Sequence, residues 1–183
     1  MLSVLVPYIL TTELSPLLEK MADGRVINTS SYMHHFANIK DLDFGFETNY
    51  NPGLAYNNSK LYTIWMTRYL ARDFFLRDSS ITVNSYHPGL ISTNLGNDSS
   101  DEKTKKSLFG RLMKSFSKNL DEGIETGYYL TLSEEITGLT GHYFDEKKVK
   151  SVSEKGYTIE KARDLINYCN DKIEMFQKKS KIP

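Results

Sequence analysis

Tyr56 and Lys60 stand four residues apart in Tyr56-Asn57-Asn58-Ser59-Lys60, inside a stretch whose apolar residues recur at helical spacing. That interval puts a phenol and an ammonium on one face of a helix. A free tyrosine titrates near pKa ~10, too high for proton transfer at neutral pH, and a fixed cation beside it favours the phenolate. The pair is therefore equipped for general acid–base work. An isolated Tyr-x-x-x-Lys is more often an ordinary exposed pair on a surface helix, so the flanking elements decide what this one means.

Gly24-Arg25-Val26-Ile27-Asn28-Thr29-Ser30-Ser31 has strand composition and stops at two small hydroxyls. This is the character of a strand's carboxyl end, where open α/β sheets place their ligands. Residues Tyr32 to Gly53 show no period and read as a long loop, of the kind that is often functional. The loop holds His34-His35, adjacent side chains that point apart on most backbones and have no Cys or carboxylate at ligand spacing, so no metal site is expected. Leu54 to Phe75 is strongly helical, and Ile81 to His87 reads as a second strand, ended by Pro88-Gly89. Strand, long helix, strand is the βαβ unit of a parallel sheet, with a right-handed crossover. Ser31, Pro88-Gly89 and the helix start bearing Tyr56 then belong to one carboxyl edge.

The chain has 183 residues, room for one domain, 1–183, with a proper core. Its 23 basic and 23 acidic side chains balance, which argues against a nucleic-acid or acidic-lipid partner. One cysteine, Cys169, excludes an internal disulfide and fits a reducing compartment; with no signal segment and no apolar run of about 20 residues, a cytoplasmic chain without membrane contact is expected. Leu2 to Met21 reads as a first helix, with Val4, Leu5, Tyr8, Ile9, Thr12, Leu17 and Leu18 spread over more than one side, so it is expected to be buried, under a cover that is itself expected to be missing; Pro16 should kink it or meet a tolerant partner. Further helices are read at Asp121–Ser133, with Asp121 as N-cap, and Ala162–Phe176, with a strand at His142–Phe144 between them. Lys178-Lys179-Ser180-Lys181 reads as a solvated tail, and Cys169 as a core thiol.

Val26-Ile27-Asn28-Thr29-Ser30-Ser31, then Tyr56-x-x-Ser59-Lys60, then His87-Pro88-Gly89-Leu90-Ile91-Ser92-Thr93-Asn94-Leu95 together resemble the catalytic half of a short-chain dehydrogenase/reductase. The phrasing is nearest the retinol-dehydrogenase-like branch, and Gly138-Leu139-Thr140-Gly141-His142-Tyr143-Phe144 resembles that branch's last strand. The resemblance implies an α/β fold: part of a Rossmann-like, doubly wound parallel sheet with flanking helices. It implies NADP or NAD as cofactor and a small lipophilic alcohol or carbonyl as substrate. Tyr56 would donate or accept the proton, Lys60 would favour its phenolate and hydrogen-bond the nicotinamide ribose, and Ser31 would hold the substrate oxygen. Pro88, Gly89 and Thr93 would line the nicotinamide and its carboxamide. Residues 98–120, a polar basic run followed by Leu108, Phe109, Leu112, Met113 and Phe116, match the position of the family's mobile substrate lid. A plain surface helix or a membrane-surface contact has the same pattern.

The departures from the family are as informative. No Gly-x-x-x-Gly-x-Gly occurs in the chain, and if Leu2–Lys20 corresponds to the family's helix before the serine strand, Ser3 stands where the family has an asparagine. The N-terminal βα units that cradle the pyrophosphate are therefore expected to be absent, on the order of 100 residues at ~30 per βαβ unit. Two readings stay open. One is an NAD(P)-dependent oxidoreductase represented by its catalytic half, expected to be inactive without the nucleotide-binding half that holds most of the cofactor site. The other is a non-catalytic relative that serves as a binding or oligomerisation module, through the long helices that pair such proteins into homo-oligomers.

Overall fold

The computed structural model describes residues 2–39, 42–48, 50–89, 120–154 and 156–180. The elements in chain order are α1 (Leu2–Leu18), β1 (Arg25–Thr29), a 3-10 helix (Tyr32–Phe36), α2 (Pro52–Leu76), β2 (Thr82–Tyr86), α3 (Leu120–Leu132), a second 3-10 turn (Glu134–Ile136), β3 (Tyr143–Asp145), β4 (Lys148–Val149) and α4 (Ile159–Ser180). The strands form one sheet in the order β1-β2-β3-β4, parallel except for the last pair. Arg25 pairs with Thr82 and Thr29 with Tyr86, so β1 and β2 end level with one another, as a βαβ unit requires. Helices cover both faces, which makes the fold the expected Rossmann-like fragment.

Helix α2 organises the main core. Leu61, Tyr62, Trp65, Met66, Leu70 and Phe74 meet Val4, Leu5 and Tyr8 of α1, Val83 of β2, and Ala162, Leu165, Ile166 and Cys169 of α4. Burial pushes the Cys169 thiol up to about 12, which leaves it an inert core group as read from the sequence. On the other face, Leu130 of α3 packs with Ile136 and Phe144 against Ile27 and Tyr86. Arg25 joins this layer to β1: its guanidinium donates to the carbonyls of Leu130 (3.1 Å) and Ser133 (2.8 Å), the open C-terminal end of α3, and pairs with Asp23.

Several sequence expectations need correction. Helix α1 is buried on one side only: Leu2, Val6, Leu10, Leu14 and Leu17 form an exposed stripe opposite Val4, Leu5, Tyr8 and Thr11. Pro16 neither breaks the helix nor needs a partner. It lies in the last turn, and the carbonyl of Thr12, which its missing N–H would have served, accepts the Ser15 hydroxyl at 2.9 Å. Part of the supposed loop is the 3-10 helix at Tyr32–Phe36, and its His34 and His35 rings do not point apart but lie 3.9 Å between centroids. Asp121 falls inside α3, not at its cap. The β3–β4 hairpin escaped notice because Glu146 and Lys147 take its left-handed turn positions (φ 50° and 61°), where glycine or asparagine would have signalled it. Finally, α4 starts three residues early, where Thr158 Oγ accepts the Lys161 N–H, and it runs through Lys178 and Lys179, which are therefore helical and not a loose tail.

One edge of the sheet is open. Thr82 donates to Gly24 O and Ser30 to Tyr86 O, and a parallel ladder uses alternate residues on each side. The backbone groups of Arg25, Ile27 and Thr29 consequently point away from β2, and among the described residues no strand lies there. No helix of the described residues is long and apolar enough to cross a membrane.

Candidate active site

Asn51 starts α2. Its side chain accepts the Leu54 N–H at 2.9 Å, and Pro52 follows in the first turn, where its missing N–H costs nothing. The helix thus begins soon enough to put Tyr56 and Lys60 in its first turns, level with the end of β1. Tyr56 is half exposed, and Lys60 Nζ stands 5.6 Å from its ring centroid, within cation–π range. The ammonium also donates to Thr29 O at 3.2 Å, and burial holds Lys60 below the ordinary lysine range. The Tyr–Lys pair read from the spacing is therefore assembled, and its cation is fixed against the strand end.

Ser31 follows β1 and caps the 3-10 helix, its Oγ accepting the Met33 N–H at 3.2 Å. A hydroxyl has a second lone pair and a proton to offer, so the cap does not consume it. Beyond β2, Gly89 adopts φ 85°, a left-handed conformation that a side chain would strain. Its N–H donates to His87 Nδ1 at 3.0 Å, which makes Nδ1 the acceptor and leaves the proton on Nε2, 3.3 Å from Asp145 Oδ1. His87 thus fastens the Pro88-Gly89 turn to β3. Thr93, and the 98–120 run apart from Leu120, lie outside the described residues.

Three further groups hold this edge together, in roles that the sequence alone does not show. Asn58, inside the Tyr56–Lys60 stretch, is buried and exchanges two bonds with the backbone of Asn38 (2.7 and 2.9 Å), which pins the loop to α2. Ser30 is buried between β1, β2 and α2. His34, fully buried, bonds through Nδ1 to Ser31 O at 2.7 Å; its ring meets Tyr143 at 4.9 Å, and its Nε2 has no hydrogen-bond partner. Asn58 and Ser30 were visible as residue types, but only the fold shows what they touch.

Burial, with lesser effects from His35 and His87, lowers His34 from 6.5 to about 4, against the opposing effect of the Ser31 bond. The unfolded chain takes up this proton near 6.5 and the folded chain only near 4. Stability from the neutral ring is thus complete above about 6.5 and lost as pH falls towards 4, an amount of about 3 kcal/mol. Urea unfolding of His34→Gln across pH 4–7 should show a gap to wild type that narrows by about that much on acidification. Parallel pH profiles would mean that His34 is not held neutral.

A parallel sheet with helices on both faces, with Tyr56 and Lys60 paired at the strand ends, defines a Rossmann-like fold. No protein-family model matches the chain. Retinol dehydrogenase 14 of Homo sapiens is 35% identical over 158 residues, 86% of this chain and 46% of that protein. Human retinol dehydrogenase 12 is 34% identical over 160 residues, 87% of this chain and 49% of that protein. Among solved structures, the fold resembles a short chain dehydrogenase from Salmonella enterica serovar Typhi (TM-score 0.52, 21% identity, 80% of this chain and 50% of that one). It also resembles the NADPH-bound carbonyl reductase from chicken fatty liver (TM-score 0.52, 23% identity, 79% and 52%). The chain belongs to the short-chain dehydrogenase/reductase family, in its retinol-dehydrogenase-like branch. It spans about half the length of the curated relatives it matches.

Proposed function

We propose that this chain carries the proton-transfer half of an NAD- or NADP-dependent oxidoreductase that interconverts an alcohol and a carbonyl. The observation behind this reading is the meeting of Tyr56 and Lys60 with the Ser31 end of β1, level with the end of β2. A cation, a phenol, a hydroxyl and a glycine with no Cβ at φ 85° fit the nicotinamide–ribose end of the cofactor. When bound, the nicotinamide supplies or takes the hydride. Lys60 would hold the ribose, and Pro88, Gly89 and Thr93 would line the ring and carboxamide. Ser31 would hold the substrate oxygen while Tyr56 passes it a proton. The relatives' names support a lipophilic alcohol or aldehyde as substrate. The reading is tested by titrating the purified chain with NADPH and NADH, followed by fluorescence. Saturable binding is expected, weakened about 10–100-fold in Lys60→Ala through loss of a charged hydrogen bond. Absence of saturation at millimolar cofactor would overturn it.

The open edge of β1 and the exposed stripe of α1 favour a second reading, a module that binds or assembles without turning over substrate. Helix α2 packs against α1 and α4 in the main core, so the exposed side of α1 would carry such a contact. Sedimentation showing a stable oligomer, in a protein that binds neither cofactor, would select this reading.

A further inference from the structure

Ser30 precedes the serine given to the substrate and has no part in the proton transfer above. We propose that Ser30 is a positioning residue, which sets where Lys60 and Tyr56 stand relative to Ser31; this rests on reading Tyr56 and Lys60 as the proton-transfer pair. The side chain is 2% exposed. Its Oγ–H donates to the backbone carbonyl of Lys60 at 2.8 Å, and its N–H donates to Tyr86 O at 2.7 Å. In return, Lys60 Nζ donates to the carbonyl of Thr29, the residue before it, at 3.2 Å. Strand end and helix therefore exchange two bonds in opposite senses. The serine hydroxyl fixes the Lys60 backbone, and the strand backbone fixes the Lys60 ammonium.

This pairing has a mechanical meaning. The Lys60 carbonyl sits inside α2, where the helix already supplies one N–H, so the Ser30 bond is not needed to satisfy it. What the bond adds is register: it ties the turn that bears Tyr56 and Lys60 to β1 at one point along the strand axis. Through the Ser30 N–H, the same residue ties that point to the end of β2, just before His87 and Pro88-Gly89. The adjacent serines divide the work: Ser31 caps the 3-10 helix, and Ser30 holds the turn of α2 that bears Tyr56 and Lys60.

Ser30→Ala removes the hydroxyl without leaving a buried group unpaired, so the fold should survive. Ser30→Cys keeps the volume with a weaker donor and carries the test if the alanine variant does not fold. The readout is the NMR titration of the Lys60 side chain, assigned by comparison with Lys60→Arg. In wild type it should titrate below the ordinary 10.5, and in the variants it should move up towards that value as the ammonium swings free into water. Nicotinamide affinity should fall about three- to tenfold in the same variants. Folded variants whose Lys60 titrates as in wild type would overturn the proposal. If wild type binds no nicotinamide, the functional reading falls instead, and the Lys60 titration still decides the role of Ser30.

Discussion

On the proposed proton-transfer role, Tyr56→Phe is expected to slow carbonyl reduction about 10²–10⁴-fold, the usual worth of a positioned general acid, with little change in cofactor affinity. The substitution removes one oxygen and keeps the ring. Tyr56 is half exposed, so stability should stay within about 0.5 kcal/mol of wild type. Lys60 keeps its anchor on Thr29 and so its place beside the ring. Loss of rate without loss of binding separates this variant from Lys60→Ala, which should lose both. Steady-state turnover of a lipophilic aldehyde with NADPH, beside the cofactor titration, checks the pattern. A Tyr56→Phe protein as fast as wild type would remove Tyr56 from the chemistry.

The largest stability effect should come from Trp65→Ala, at about 3–5 kcal/mol. Trp65 is fully buried at the centre of α2, with its ring 5.4 Å from Tyr62 and 6.0 Å from Tyr157. It belongs to the one cluster that contains residues of α1, α2, β2 and α4, so its removal opens a cavity that several elements share. Against a typical total of about 5–15 kcal/mol, such a loss leaves a marginal protein. Trp65→Phe should cost less than half as much, because it keeps an aromatic ring and discards an indole N–H that is buried without a partner. Urea midpoints of the two variants measure this directly. A cost below about 1 kcal/mol for the alanine would contradict the cluster as the main core.

The βαβ unit was legible because its signals are local. Alternation and β-branched residues end at Ser30-Ser31, a 3.6 period runs from Leu54 to Phe75, and Pro88-Gly89 stops the second strand. The Tyr56–Lys60 face follows from helical geometry alone. Other features depend on contacts that no period encodes. His34 looked like half of an idle histidine pair until burial under Tyr143 and a bond to Ser31 gave it a task. The exposed stripe of α1 was legible as apolar surface in want of a cover, but apolar composition says only that a face avoids water, not which residues find a neighbour. The Glu146-Lys147 turn shows the reverse case, in which tertiary pairing imposes a backbone conformation that the residues themselves disfavour.

The unpaired side of β1 also governs how the molecule behaves in concentrated solution. Lys60 caps the Thr29 carbonyl, but among the described residues Arg25 and Ile27 have no such guard, since the Arg25 side chain is drawn back to the carbonyls of α3. Leu10, Leu14 and Leu17 lie exposed on the helix next to it. With a formal net charge of zero at neutral pH, long-range repulsion between molecules is weak as well. The described edge and stripe, taken together, should then favour association between copies of this chain. Low ionic strength, low protein concentration and a pH away from 6.9 are the conditions under which the chain should stay dispersed.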